Sequence, residues 1–170
     1  AAGCDANSPE GANYAAYLID LAQDMQAWAD QIVVTAKKTK KLGGVTIDLS
    51  LPTWHEQMWI ITWDGEITYI PTSVTTIKDS CGNQLGANSP DGTVPVPPDQ
   101  YIFSVIHTHP KWANPWPAAG DYTSANRFPI YNINPSGTWV LREGAPRGSK
   151  PVTLSGNSPT KPAKSGSKCK

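Results

Sequence analysis

The chain has 170 residues and a mass of 18.3 kDa, room for one sizeable core and hardly for two. With 39% hydrophobic residues, 16% charged residues and a formal net charge of zero, neither a wholly disordered chain nor a globally basic nucleic-acid binder fits. The charge is unevenly spread: residues 1–141 hold 7 Lys/Arg against 13 Asp/Glu, whereas residues 142–170 hold 7 against Glu143 alone, so an acidic body carries a basic tail. No apolar run approaches the roughly 18 residues of a membrane-spanning helix, and no charged-then-apolar leader opens the chain, so a soluble protein is expected. The missing initiator Met suggests a processed or excised piece.

Ser8-Pro9-Glu10 predicts a helix start, with Ser as N-cap and Pro in the first turn. Tyr14, Tyr17, Leu18, Leu21, Met25, Trp28 and Ile32 then recur at three- and four-residue steps, the core stripe of an amphipathic helix. Asp20, Asp24 and Asp30 in its early and middle turns and Lys37, Lys38, Lys40 and Lys41 at its end suit the helix dipole, and Gly43-Gly44 is the expected stop. The lysines read as a solvated helix end.

From Val45 the pattern changes to short β-rich runs, Val45 to Leu51, Gln57 to Trp63, Glu66 to Ile70 and Tyr101 to His107, with Asp64-Gly65 as a hairpin turn. Residues 79–99, rich in Gly, Asn, Ser, Pro and Asp, predict a long loop. A short helix over Tyr122 to Arg127, a strand from Ile130 to Ile133, the turn Asn134-Pro135-Ser136-Gly137 and a strand from Thr138 to Arg142 complete the domain. The fold class is α/β, or α+β layered. Residues 1–9 form an N-terminal segment, 10–145 the domain, and 146–170 a flexible basic tail of Pro, Ser, Gly and Lys.

Two of the three histidines, His107 and His109, sit in the run Phe103-Ser104-Val105-Ile106-His107-Thr108-His109-Pro110. Residues two apart on a strand point to one side, so both imidazoles converge, most naturally on a metal ion. Pro110 ends the strand, and Asp121, where a helix begins, supplies a carboxylate as third ligand. Two His, a carboxylate and a water make a catalytic zinc site with an open position, although the same ligands also hold Fe, Mn, Ni or Co. The blander alternative is a partly buried polar pair, or histidines stacked on Trp112. Cys4, Cys81 and Cys169 lie far apart without a CxxC pair, which argues against a cysteine-built zinc site and leaves any disulfide pairing open.

At these residues the chain resembles the JAMM metalloproteases, the catalytic MPN domains that include zinc deubiquitinases and bacterial relatives. The match runs over roughly residues 45–145: Ile106-His107-Thr108-His109-Pro110, then Asp121, Ala125-Asn126-Arg127, Ile130-Tyr131 and Asn134-Pro135-Ser136-Gly137, with Glu56 as the upstream glutamate. The resemblance implies a cytidine-deaminase-like MPN fold, a central mixed β-sheet flanked by helices. It implies Zn2+ held by His107, His109 and Asp121, and Glu56 as the catalytic base of a hydrolase that cleaves a peptide or isopeptide bond. Glu66, on the neighbouring strand, is the rival for the base, and His55 is a candidate supporting partner. The family's oxyanion-holding Ser falls at Ala118, with Thr123 and Ser124 as substitutes, and eleven residues rather than ten separate His109 from Asp121. Trp112 and Trp116 shape the intervening loop, and with Trp54, Trp59 and Trp63 they bracket the expected site.

The resemblance further implies a divergent bacterial member, the toxin or effector module of a secreted system, acting in the periplasm or outside the cell. Its partners would be a peptide or protein substrate, with peptidoglycan as a further class, and a cognate immunity or inhibitor protein; nucleic acid is not expected. The alternatives are a catalytically inactive MPN-like interaction domain, or a metal-dependent hydrolase acting on peptidoglycan or nucleic acid.

Overall fold

A computed structural model of the chain describes residues 7–47, 49, 56–78, 84–90, 94–111 and 113–162, with backbone alone for 73–78 and 84–90. Helix α1 (Pro9–Thr39) opens as the sequence predicts: the Ser8 side chain accepts from the Gly11 N–H at 3.0 Å, with Pro9 in the first turn. It ends earlier than the glycines suggest. Lys40 adopts the left-handed conformation (φ 58°) and its N–H caps Ala36 O at 2.7 Å, while Gly43 and Gly44 turn the small hairpin of β1 (Lys41–Leu42) and β2 (Val45–Thr46).

The central sheet has six strands in the order β10-β9-β8-β7-β3-β4: β3 Met58–Thr62, β4 Ile67–Ile70, β7 Ile102–Thr108, β8 Ile130–Asn134, β9 Gly137–Leu141 and β10 Val152–Gly156. All neighbours are antiparallel except β7 and β8, which are parallel and joined by α2 (Ala119–Ala125). The mixed sheet with helices in the α+β class is therefore as expected. Gly65 (φ 83°) makes the β3–β4 turn at the anticipated Asp64-Gly65.

Two expectations are corrected. Within residues 79–99, Gln84–Pro90 is not loop but β6, paired antiparallel with β5 (Thr72–Lys78) in a separate two-stranded ribbon. The segment Gln84-Leu85-Gly86-Ala87-Asn88-Ser89-Pro90 has no alternating apolar pattern, so its backbone ladder leaves no trace in hydropathy. Within the stretch 146–170 expected as tail, Val152–Gly156 form a sheet strand: β10 pairs along β9, from Val152↔Val140 to Gly156↔Gly137. Gly137 is required there, because a Cβ would lie 2.3 Å from Ser155 O.

Each sheet face carries its own core. On one side Met25, Ala29, Val33 and Ala36 of α1 pack on Trp59, Ile61, Phe103, Ile106, Tyr131, Ile133 and Val140. Small residues at successive turns let the helix sit close. The expected stripe is thus displaced: Leu21, Trp28 and Ile32 flank the contact, while Tyr14, Tyr17 and Leu18 are exposed because the first turns of α1 lie outside this contact. On the other side Tyr122 and Ala125 of α2, with Phe128, pack on Ile60, Ile70, Ile102, Ile130, Trp139 and Leu141.

Asp30, expected only to serve the dipole, pins α1 to the sheet. Its carboxylate accepts a bidentate pair from Arg142, at 2.9 and 2.8 Å, and the Tyr131 hydroxyl at 2.6 Å. Burial, and then the Asp30 carboxylate, push the Tyr131 hydroxyl above its ordinary range. Asp30→Ala leaves a buried hydroxyl and a half-buried guanidinium without their acceptor, so a loss of about 2–3 kcal/mol in unfolding free energy is expected in urea titration.

Candidate metal centre

The register builds the site. His107 lies opposite Asn132 in β8 and Met58 in β3, and Asn132 lies opposite Trp139 in β9, so all four side chains share the α2 face. Thr108 ends β7; beyond it the His109 N–H donates to Ile133 O at 3.0 Å and holds the second histidine on the same side. The ring centroids of His107 and His109 are 4.7 Å apart, and each ring stands edge-on to Trp139 at 5.8 Å. The loop to α2 turns back at once, Ala113 N–H to Pro110 O, and Pro115 O is tied to the Trp139 indole N–H at 2.6 Å. Asp121 follows in the first turn of α2.

His107, His109 and Asp121 converge, their ligand atoms all within 4.8 Å of one another, and they can hold a metal ion. His107 Nε2 is 3.0 Å from His109 Nε2 and 3.1 Å from Asp121 Oδ1, and His109 Nε2 is 3.4 Å from Asp121 Oδ2. His107 donates its Nδ1–H to Tyr131 O at 2.8 Å, which turns Nε2 inward as the ligating atom. Glu56, two residues before β3, reaches to 3.9 Å from His109 Nε2 with 35% of its side chain exposed. Its backbone is held by the Thr72 hydroxyl on Glu56 O at 2.6 Å, and the next residue pairs with Thr108. Glu66 follows the β3–β4 turn at the far end of β3, where its N–H faces Asp64, so the structure brings Glu56 and not Glu66 to the histidines.

The remaining expected residues divide. Ala118 is the exposed N-cap of α2; its N–H donates to Asp121 Oδ2 at 2.8 Å, a one-sided cap that aims the carboxylate but offers no hydroxyl. Thr123 is exposed and donates to Ala119 O, and Ser124 is half-buried; among the described residues neither hydroxyl bonds a ligand. Trp116 is half-buried in the loop before α2, and the Tyr122 hydroxyl braces α2 by donating to Ser149 O at 2.6 Å. Trp59 lies in the α1-side core and Trp63 packs on Phe103, away from the site. His55, Trp54, Trp112 and the three cysteines lie outside the described residues. Trp139 and Asn132 were missed; a buried Asn in the otherwise apolar run Ile130 to Ile133 was the available signal for the second.

A cavity of about 520 Å³ lies on the opposite, α1 face, lined by Lys37, Lys40, Lys111 and apolar residues including Ile133. Lys37 is therefore not simply solvated: it donates to Asn134 O, and burial followed by the charge of Lys40 lowers its pKa.

Burial alone would lower the His107 pKa, but Asp121, with smaller help from Glu56 and Tyr131 O, raises it to about 9. Burial would likewise raise Asp121, yet His107 and then His109 hold its carboxyl well below the usual range. A metal ion must displace the His107 proton. Apparent affinity for added Zn2+ or Co2+ should therefore rise about tenfold per pH unit from 6 towards 9, with proton release seen as a buffer-dependent calorimetric enthalpy. Ala118→Ser, which restores an N-cap acceptor, should raise unfolding free energy by about 1 kcal/mol in denaturant titration.

No family model, curated protein or solved structure matches the chain.

Proposed function

We propose that the protein is a zinc-dependent hydrolase that cleaves a peptide or isopeptide bond. The observation that carries this reading is the convergence of three ligand atoms beside a solvent-reaching carboxylate at one sheet end. The fit supports zinc. Tetrahedral zinc with bonds of 2.0–2.1 Å has ligand–ligand edges of about 3.3 Å; the two imidazole nitrogens are 3.0 Å apart, His107 Nε2 is 3.1 Å from Asp121 Oδ1, and the three ligand atoms lie within 4.8 Å of one another. Two imidazoles and one carboxylate also leave a fourth position open, the pattern of catalytic rather than structural sites.

When bound, zinc supplies Lewis acidity, acidifying water and polarising the substrate carbonyl. The chain's own residues supply the rest. His107, locked by Tyr131 O, and Asp121, aimed by the Ala118 N–H, present their lone pairs to one point. Glu56 sits on the solvent side of the cluster, where it takes the proton of the attacking water and returns it to the leaving amine nitrogen as the C–N bond breaks. Trp139, edge-on to both histidines, keeps the inner side of the centre dry.

A second reading, a metal-binding interaction domain without turnover, is favoured by the methyl group at Ala118 where the resembled family has a hydroxyl donor. Elemental analysis and a panel of peptide, isopeptide and peptidoglycan substrates separate the two. The parent should hold one zinc per chain, lost in His107→Ala and Asp121→Ala, and Glu56→Gln should keep zinc while turnover falls roughly 10²- to 10⁴-fold. A parent that takes up no zinc refutes the hydrolase. A zinc-loaded parent without hydrolysis on the panel favours the interaction domain.

A further inference from the structure

Both asparagines of β8, Asn132 and Asn134, are buried. A buried amide must place two donors and an acceptor, so its orientation is an accounting question. The hydrogen bonds run inward from the β8–β9 turn. The Ser136 and Gly137 N–H groups both donate to Asn134 Oδ1, at 2.9 and 3.0 Å. Two backbone donors require an oxygen at that position, so Asn134 Nδ2 faces Asn132 and donates to its Oδ1 at 2.9 Å. The Asn132 oxygen is thereby committed, and its NH2 group faces the histidines. It finds only long partners there, His107 Nε2 at 3.4 Å and His107 O at 3.5 Å. Once Nε2 gives its lone pair to a metal ion it cannot accept from Asn132, and the buried NH2 group keeps only the long contact to His107 O for its two N–H bonds.

The geometry points to Asn132 as the donor for the substrate's carbonyl oxygen, the task that Ala118 leaves unfilled; this rests on the hydrolase reading above. As the water oxygen bonds to the carbonyl carbon, the C=O π pair moves onto the carbonyl oxygen, and the Asn132 N–H strengthens its hydrogen bond to that growing charge. The water's proton goes to Glu56 and then to the leaving nitrogen. Carried on a strand and braced through Asn134, the donor needs no reorganisation, and such donors contribute about 10²–10³-fold in turnover.

The test uses the zinc-loaded full chain and acetohydroxamate, which presents carbonyl and anionic oxygens to a metal without any knowledge of the substrate. Asn132→Leu removes the donor at similar volume. Asn134→Asp leaves residue 132 in place but turns its neighbour into a pure acceptor, so Asn132 must flip and present its oxygen to the centre. Both variants should keep one zinc per chain and bind acetohydroxamate at least about tenfold more weakly, as expected for one lost hydrogen bond to a charged group. In the 15N-labelled parent the Asn132 side-chain amide should shift downfield when acetohydroxamate is added, a readout that does not depend on how the variants fold. Unchanged affinity in the zinc-loaded variants, or a stationary Asn132 amide, overturns the inference and leaves the metal centre standing. Loss of zinc from the variants also overturns it, because Asn132 would then support His107 rather than the carbonyl oxygen. Failure of the parent to take up zinc is the distinct result that removes the hydrolase reading itself.

Discussion

The parallel pairing of β7 with β8 is the constraint on which the rest of the site depends. Parallel neighbours need a crossover, and here the crossover must leave the end of β7, pass over one sheet face and re-enter at the start of β8. Its helix therefore begins near the strand end it has just left. That is why an aspartate in the first turn of α2 can meet two histidines at the end of β7, with Asn132 in register beside them. An antiparallel hairpin at this point would have no such helix and no third ligand.

Around this pair the molecule divides its labour by face. The α1 side is an apolar contact bolted by Asp30 to Arg142 and Tyr131, and Tyr131 serves both sides: its hydroxyl anchors α1 while its backbone carbonyl fixes the His107 ring on the other. Burying two imidazoles and a carboxylate together is costly unless opposite charges and hydrogen bonds compensate. The attraction between His107 and Asp121, which raises the one pKa and lowers the other, supplies that compensation.

Much of the centre was legible in the chain because it depends on local periodicity. His107 and His109 two apart on a strand, Pro110 after them and Asp121 at a helix start are all short-range statements, and Glu56 was separated from Glu66 by its place at the entry of β3. What escaped is non-local. Residues Val152 to Gly156 look like tail because edge-strand pairing satisfies backbone groups without requiring an apolar pattern, and the ribbon of β5 and β6 is silent for the same reason. The inward face of α1 was misread because alanines count weakly in a hydropathy stripe, whereas close packing favours them over Tyr14 and Tyr17. Asn132 and Trp139 become site residues only through register, which no single segment encodes.

The exposures of the four clustered side chains carry a kinetic consequence. His109, His107 and Asp121 have 3%, 8% and 14% of their side-chain surface accessible, against 35% for Glu56. Solvent reaches the cluster past the carboxylate, with Trp139 and the sheet behind the histidines. A metal ion held there would pass the Glu56 carboxylate on its way out, and an anionic chelator would pass it on its way in. Among the described residues, exchange of an ion at this centre would therefore be governed by the acidic side chain at its solvent edge as well as by the strength of its ligands.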